Sequence, residues 1–577
     1  MRKLLIISLG LLLSTSLSAQ YISGGSGVTF TPSVLADSAG SHFTSEGTNY
    51  ILDGEIIISA GDTLLFTGLD TLFFNSTGDL RIEGTFIAQP EEITVVTATD
   101  STLGYPGITF DESNGSVIEN IEFSHGGGVK LLYSDVYIKD CSFYKMTDAN
   151  GSGAVNLLQS NPVIESCNFT RNMRSAISSG ATAASSPVIK YNHLYHNNTE
   201  NGNRPQINLG TSDGTNNIII RGNIIDGNYD ETGGISLATL AGGEVSAVVD
   251  SNTIINNRYG INIQGTVSAD IAHNHIINNN LEDNPYYGGS GIAFSSGAQA
   301  FVAHNIIRGN LWGITIQSDA QPNFGEIEPD TANIGHNYIY ENGNGGITYN
   351  LYNNSTSTIY AQNNYWGTTS VTEAGDWIVD QADDNTLGEV FYEPIYTLNT
   401  EKAFLYFAFE LNDTTIEASI DEENKLITAT LPPETDISGL SPIFTLSEYA
   451  SAEVDGQVQV SGQTVQDFTD TLHYEVIAED STTTTYKVAI DVATSIYSDS
   501  EIAQNIFPNP FNEVLHVKSK NQVIRATILN MAGKVVQMVN TKGTQISFRS
   551  TNWSPGVYLI RLHYVDGTHV TKKVIKK

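Results

Sequence analysis

One short pattern, repeated at an irregular period, constrains this chain more than any other feature. It is clearest in VAHNIIRGNLWGITIQS at 302–318: an asparagine, an isoleucine two residues on, a second asparagine, then Gly-Ile-Thr-Ile. DSNTIINNRYGINIQG (250–265), AHNHIINNN (272–280) and GHNYIYENGNGGITYN (335–350) are close variants. Taking the residue two before the apolar position as a marker gives Ile121, Cys141, Cys167, Asn192, Asn223, Asn252, Asn274, Asn305, Asn337 and Asn363, spaced 20 to 32 residues apart. Their apolar partners run from Phe123, Phe143 and Phe169 to Ile307, Ile339 and Tyr365. Alternation at two residues specifies strands, where a helix needs apolar positions at three and four. A second short strand follows each marker, as in GINI (260–263), GITI (313–316) and GITY (346–349), and a third precedes it, as in PVIE (162–165) and NIII (217–220). Three short strands per irregular repeat, joined by Asn/Gly turns, predict a parallel β-solenoid with coils stacked about 4.8 Å apart around one continuous aliphatic core.

The marker residues then have a mechanical role. A tight turn leaves backbone donors and acceptors without a strand partner, and a stacked file of amides satisfies them. Asn192, Asn223, Asn252, Asn274, Asn305, Asn337 and Asn363 are the expected file, with Cys141 and Cys167 in the same file on adjacent coils. Their Cα atoms would lie within disulfide range, but nearly parallel Cβ vectors oppose the bond.

Outward positions of the Gly-Ile-x-Ile strands are Lys130, Asn156, Ser178, Asn208, Ser236, Asn262, Ala293, Thr315 and Thr348; two residues further on stand Leu132, Leu158, Gly180, Gly210, Ala238, Gln264, Ser295, Gln317 and Asn350. After Lys130 neither file holds an acid or a base, so this face lacks the paired carboxylates of acid–base chemistry on a glycan. Its amides and hydroxyls suit hydrogen bonding to sugar, and Tyr259, Tyr286, Tyr287 and Trp312 recur beside it. The expected carbohydrate contacts are Asn156, Asn208, Asn262, Gln264, Thr315, Gln317, Tyr259 and Trp312. Packing of the aromatics on the neighbouring coil is the competing expectation. His273, His304 and His336 precede three successive markers. Two neighbours could share a metal, but three on one straight file could not; a stack of neutral imidazoles is the alternative. No cofactor is specified, although the loops NYDETGG (228–234) and EIEPDTAN (326–333) have the oxygen ligands that Ca²⁺ uses.

On these residues, roughly Tyr50 to Pro394, the chain resembles the right-handed parallel β-helix superfamily of carbohydrate-binding proteins and sugar hydrolases, including NosD-like repeats. The resemblance implies the fold and leaves the activity open. The Arg-Ile-Lys of polygalacturonase-like hydrolases and the Asp-Pro-His-Glu of alginate epimerases are absent from the sequence.

The 577 residues divide further. Residues 1–19 read as a cleaved secretory leader: Arg2 and Lys3, an apolar run too short to span a bilayer, then small residues to Ala19. No later stretch is long enough to cross a membrane. Residues 20–398 are the expected β-helix. Residues 399–493 alternate apolar and polar positions between Pro/Gly/Asp turns and predict a β-sandwich, resembling the immunoglobulin-like accessory domains of surface glycan-handling proteins in Bacteroidetes. Residues 494–504 read as a linker. Residues 505–577 carry eleven Lys/Arg against two Asp/Glu within a chain of net charge −36, which marks a separate unit. Pro508-Asn509-Pro510, Ala532-Gly533-Lys534, Pro555-Gly556-Val557-Tyr558 and the Lys-rich end resemble the type A C-terminal sorting domain of type IX secretion. The resemblance implies export through that machinery, by way of the periplasm, to the outer surface or the medium.

The expected architecture is all-β: a right-handed parallel β-helix, an immunoglobulin-like β-sandwich and a small C-terminal β-sandwich sorting domain. The acidic body disfavours nucleic acid as a partner and would repel a polyanionic glycan; the outward amides and aromatics make a polysaccharide or surface glycan the expected partner. Three functions fit: a surface protein that binds or helps process carbohydrate, a polysaccharide lyase or glycoside hydrolase with catalytic groups on its loops, or a structural adhesin.

Overall fold

The computed structural model describes residues 20–577 apart from 68–69, 148–152, 328–332, 412–413, 494–503, 532 and 566. The leader, nearly all of the linker and the centre of the 326–333 loop lie outside the described residues. Residues up to Leu398 form one compact unit and Asn399–Lys577 a second.

In the first unit the chain winds through three sheets in turn. Gly107–Asp111 belongs to the first, Val117–Glu119 to the second and Ile121–Ser124 to the third, and Val129–Leu132 returns to the first. The sheets hold 14, 14 and 13 strands. Almost every pairing is parallel and in register, so equivalent side chains stack rung upon rung: Phe123 on Phe143 on Phe169, with centroids 4.9 and 4.8 Å apart. Further along, Ile225, Ile254, Ile276, Ile307 and Ile339 continue the stack, all wholly buried. Both ends of the core are covered. Helix Pro32–Ala39 is capped by Thr31, whose hydroxyl accepts the Val34 N–H, and it buries Leu35. At the far end, helix Val371–Asp376 buries Ala374 beyond the wholly buried Trp366.

At most rungs the three corners share one local rule: a residue with positive φ turns the chain, and the next residue points inward and ties the coils together. Where the second sheet passes to the third, the turning residues include Asn120, Asp140, Ser166, Tyr191, Ser251, His273, His304, His336 and Asn363, with φ of 51–58°. The inward residues that follow form the expected file. Asn305 shows its bonding: its Oδ1 accepts the Asn274 N–H and side-chain amide, and its Nδ2 donates to Ile271 O and Asn337 Oδ1. The sequence expectation fails at the last rung. In the pair Asn363-Asn364 the first asparagine takes the turning conformation, and Asn364 receives the Asn337 N–H. The inward residue of that coil is correspondingly Trp366 and not Tyr365, which is only half-buried.

Cys141 and Cys167 occupy adjacent rungs of this file as buried free thiols. The Cys167 sulfur accepts the Cys141 N–H at 3.4 Å, and each thiol donates to a carbonyl of its own coil, Lys139 and Glu165 respectively.

Two further files were not anticipated. Where the third sheet returns to the first, Asn172, Asn197, Asn257, Asn279, Asn310 and Asn342 repeat the arrangement five residues after the first file. Asn228 has the right spacing, but Gly227 before it does not adopt the positive φ, and Asn228 stays exposed. Gln206, from the adjoining strand, fills the gap by accepting from Asn197 and donating to Asn257. At the remaining corner, Ser113, Ser134, Ser160 and Ser185 each follow a positive-φ residue and relay N–H to Oγ bonds of 2.9–3.2 Å.

In the second unit, Phe404–Leu411, Thr414–Glu417 and Ile443–Leu446 form a three-stranded sheet facing a six-stranded one. They enclose a core of Phe404, Phe407, Phe409, Tyr474 and Tyr486. The C-terminal residues build a five-stranded antiparallel sheet from Gln504–Phe507, Val514–Asn530, Val535–Arg549, Gly556–Tyr564 and His569–Lys576. Register shifts between Lys518 and Arg525 bend its longest strand around a separate core that includes Leu515, Ile528 and Leu562.

Candidate functional site

The outward face of the first sheet gathers most of the expected contact residues. Strand register places Lys130, Asn156, Ser178, Asn208, Ser236, Asn262, Ala293, Thr315 and Tyr352 on successive rungs of one file. Tyr352 replaces the expected Thr348. GITY does not supply the next rung; Gly343–Asn344 and Ile347–Thr348 form a small antiparallel hairpin, and Leu351–Ser355 enters the sheet in its place. For the same reason Gln317 is followed by Asn354, while Asn350 is buried and accepts from Asn342. Gln264 lies between Ala238 and Ser295 on the parallel file.

The polar groups of this face are partly committed to one another. Asn262 Nδ2 donates to Ser236 Oγ at 3.0 Å, and the Thr315 and Ser290 hydroxyls lie 2.9 Å apart. Thr315 is buried, whereas Asn156, Asn208, Asn262 and Gln264 are half-buried and Gln317 is exposed. Tyr259 packs against the neighbouring coil: a Cβ on Gly233 would come within 2.1 Å of its ring. Burial pushes the Tyr259 phenol up to about 12, with Arg258 and a hydrogen bond to Ser236 opposing. Trp312 sits at the edge of an aromatic platform that its own neighbourhood in sequence does not reveal. Its ring stacks on Tyr352 with centroids 5.5 Å apart and meets Tyr349 at 4.7 Å, and its Nε1 donates to Pro285 O. Tyr286 and Tyr287, in the loop beginning at that proline, are strongly exposed.

The N-terminal rungs of the same face differ in chemistry. Glu55 and Asp79 are register partners, and Arg81 leads through Thr109 to Lys130. Arg81 pairs with Asp111 and, at 3.1 Å, with Glu83. Burial and the Glu55 carboxylate push Asp79 above the usual carboxylate range, against the pull of Arg81 and Lys130. Glu55, Asp79 and Arg81 precede the first Gly-Ile-x-Ile strand, so the repeat pattern does not reach them.

His273 and His304 are stacked face to face, with centroids 5.0 Å apart and planes within 3°; His336 meets His304 edge-on at 5.6 Å. His273 Nδ1 is 3.0 Å from Asp250. Burial and the flanking imidazoles hold His304 below the usual histidine value. Among the described residues, no group of three or more His, Cys, Asp or Glu is arranged to hold a metal ion. In the loop 228–234, Asp230 accepts from Asn201 and Glu231 pairs with Arg258 at 2.6 Å.

Several family models match the chain in succession. Residues 83–243 match the right handed beta helix region and 214–372 a family of unknown function, DUF1565. Residues 406–490 match the family described as SGBP, N-terminal, and 505–577 the secretion system C-terminal sorting domain. The first unit is thus a right-handed parallel β-helix. The tail is a type IX sorting domain, which directs the chain to the cell surface or the medium. No helix among the described residues is long and apolar enough to cross a membrane.

No curated protein matches the chain. Among solved structures it is similar to a point mutant of the periplasmic alginate epimerase AlgG, at 11% identity over 64% of this chain and 84% of that one, with a TM-score of 0.40. It is also similar to a putative glycoside hydrolase from Bacteroides thetaiotaomicron, at 15% identity over 31% of this chain and 83% of that one, TM-score 0.14. A third is SGBP-B of the Bacteroides ovatus mixed-linkage glucan utilization locus, solved with a mixed-linkage heptasaccharide. There the identity is 18%, over 31% of this chain and 48% of that one, with a TM-score of 0.11.

Proposed function

We propose that this exported protein binds carbohydrate along the outward face of the first sheet. The observation that carries the reading is the unbroken file from Asn156 to Tyr352, which holds amides, hydroxyls and one alanine but no acid or base, and ends beside the Trp312–Tyr349–Tyr352 platform. Amides exchange hydrogen bonds with sugar hydroxyls while aromatic faces cover C–H surfaces. The match of the following sandwich to an SGBP domain family supports the same reading. Affinity electrophoresis through a panel of soluble polysaccharides tests it: at least one polymer retards the wild-type chain, and Trp312→Ala weakens that retention roughly tenfold. Retention by no polymer would end the proposal.

A second reading, a polysaccharide lyase or glycoside hydrolase, is favoured by the charged rungs of that face. Asp79, with its raised carboxyl, Glu55, Arg81 and Lys130 supply an acid, a base and positive charge beside the neutral strip. General acid–base catalysis needs a carboxyl tuned in this direction. Release of unsaturated or reducing ends from a polysaccharide, lost in Asp79→Asn, would establish this reading; a panel without products would exclude it.

A further inference from the structure

The second sheet changes character towards its C-terminal end. Val163, Val188, Ile219 and Val248 mark its earlier outward positions, a file of partly covered β-branched residues. Beyond them the file becomes Asp270, Phe301, Asn323, Tyr360 and Phe391. Phe301 is 50% exposed and Tyr360 38%, high values for rings on the face of a parallel sheet. They form the floor of an open groove of about 760 Å³, walled by the chain around Asp319 and by residues 356–358. That volume lies within the usual range for small-ligand sites.

We infer that this groove is a second site, separate from the first-sheet face, for a short neutral oligosaccharide. Strand spacing puts Phe301 and Tyr360 two rungs apart, about 9.6 Å, with the Asn323 amide between them. An aromatic, an amide and an aromatic in line offer two stacking faces with a hydrogen-bonding group between. Gln299 adds a further exposed amide at the rim. Asp319 and Glu326 line the groove, and among the described residues no lysine or arginine does. A uronate or sulfated chain would therefore meet like charge with nothing to neutralise it, whereas a neutral sugar can donate its hydroxyls to both carboxylates. Glu326 is already oriented for this by Asn323, whose Nδ2 donates to it at 2.8 Å.

Isothermal titration of the full chain with cellohexaose, xylohexaose, mannohexaose and hexagalacturonate tests the site. One neutral hexaose binds and hexagalacturonate does not. The double variant Phe301→Ala/Tyr360→Ala weakens that hexaose by at least roughly tenfold, while Trp312→Ala leaves it unchanged. Both replaced rings are exposed, so an unchanged thermal unfolding profile separates lost binding from lost fold. Absence of binding by every neutral hexaose, or binding that survives the double variant, overturns the inference. Loss with Trp312→Ala alone would assign the hexaose to the first-sheet face and leave the groove without a ligand.

Discussion

The serine corner and the two asparagine corners of the β-helix solve the same problem with different reach. In each, a positive-φ residue reverses the chain and the next side chain accepts an N–H from the preceding coil. A serine such as Ser134 accepts from Ser113 and returns its own proton to Leu132 of its own coil, so it joins two coils. An asparagine such as Asn305 accepts from the coil before, donates to the coil after, and bonds a carbonyl of an earlier strand. Carbonyl and amide sit on one planar group, so a single side chain propagates the bond in both directions. The register of the later coils is held by side chains as well as by backbone ladders.

The sharpest test of that difference is Asn305→Ala. It leaves several fully buried donors and acceptors unpaired, and at about 1–3 kcal/mol for each such group the expected loss is roughly 4 kcal/mol. It is read as a fall in the urea midpoint of the β-helix transition, and a loss below about 1 kcal/mol would mean that the file is incidental. Ser134→Ala orphans chiefly the Ser113 N–H and should cost about 1–2 kcal/mol in the same assay; a loss equal to that of Asn305→Ala would erase the distinction. Cys167→Asn extends the amide file by one rung beside Asn192 and should stabilise by about 0.5–1 kcal/mol. A destabilised variant would show that the thiol is there for its size.

The smallest effect concerns pH. His304 faces His273 and His336, with Asp250 beyond His273 and Tyr396 against His336. Its folded value lies below the ordinary 6.5. Between 6.5 and that depressed value the unfolded chain binds more protons, so stability is complete above 6.5 and declines as pH falls through the window. His304→Gln should flatten that decline in urea midpoints measured from pH 7.5 to 5; an unaltered slope would place the effect elsewhere.

The course of the solenoid was legible because alternation at two residues survives any loop length. The asparagine file was legible to Asn337 because Asn-x-Leu at Asn192 and Asn-x-Ile from Asn223 onward recur without interruption. Its last rung was not, since either residue of Asn363-Asn364 can take positive φ and only the stacking of Trp366 decides between them. The serine file escaped notice because serine is common in turns and the relay appears only once four coils are superposed. The second asparagine file had a signal, an asparagine five residues after each marker from Cys167 to Asn337, but Asn228 obeys that spacing and stands outside the file. On the candidate face, the outward position of the amides followed from strand periodicity, whereas Tyr349 and Tyr352 depend on an inserted hairpin that shifts the reading frame. The charged rungs at Asp79 and the groove at Phe301 could be found only from stacking, which joins residues more than twenty positions apart.

One consequence reaches beyond the folded chain. Each winding receives at its corners the same kind of bond that it hands to its successor, so a duplicated winding inserted in mid-array would find its partners already in place. Lengthening or shortening by whole repeats is therefore compatible with the bonding of the corners, and would change the length of the outward face while the capped termini stay as they are.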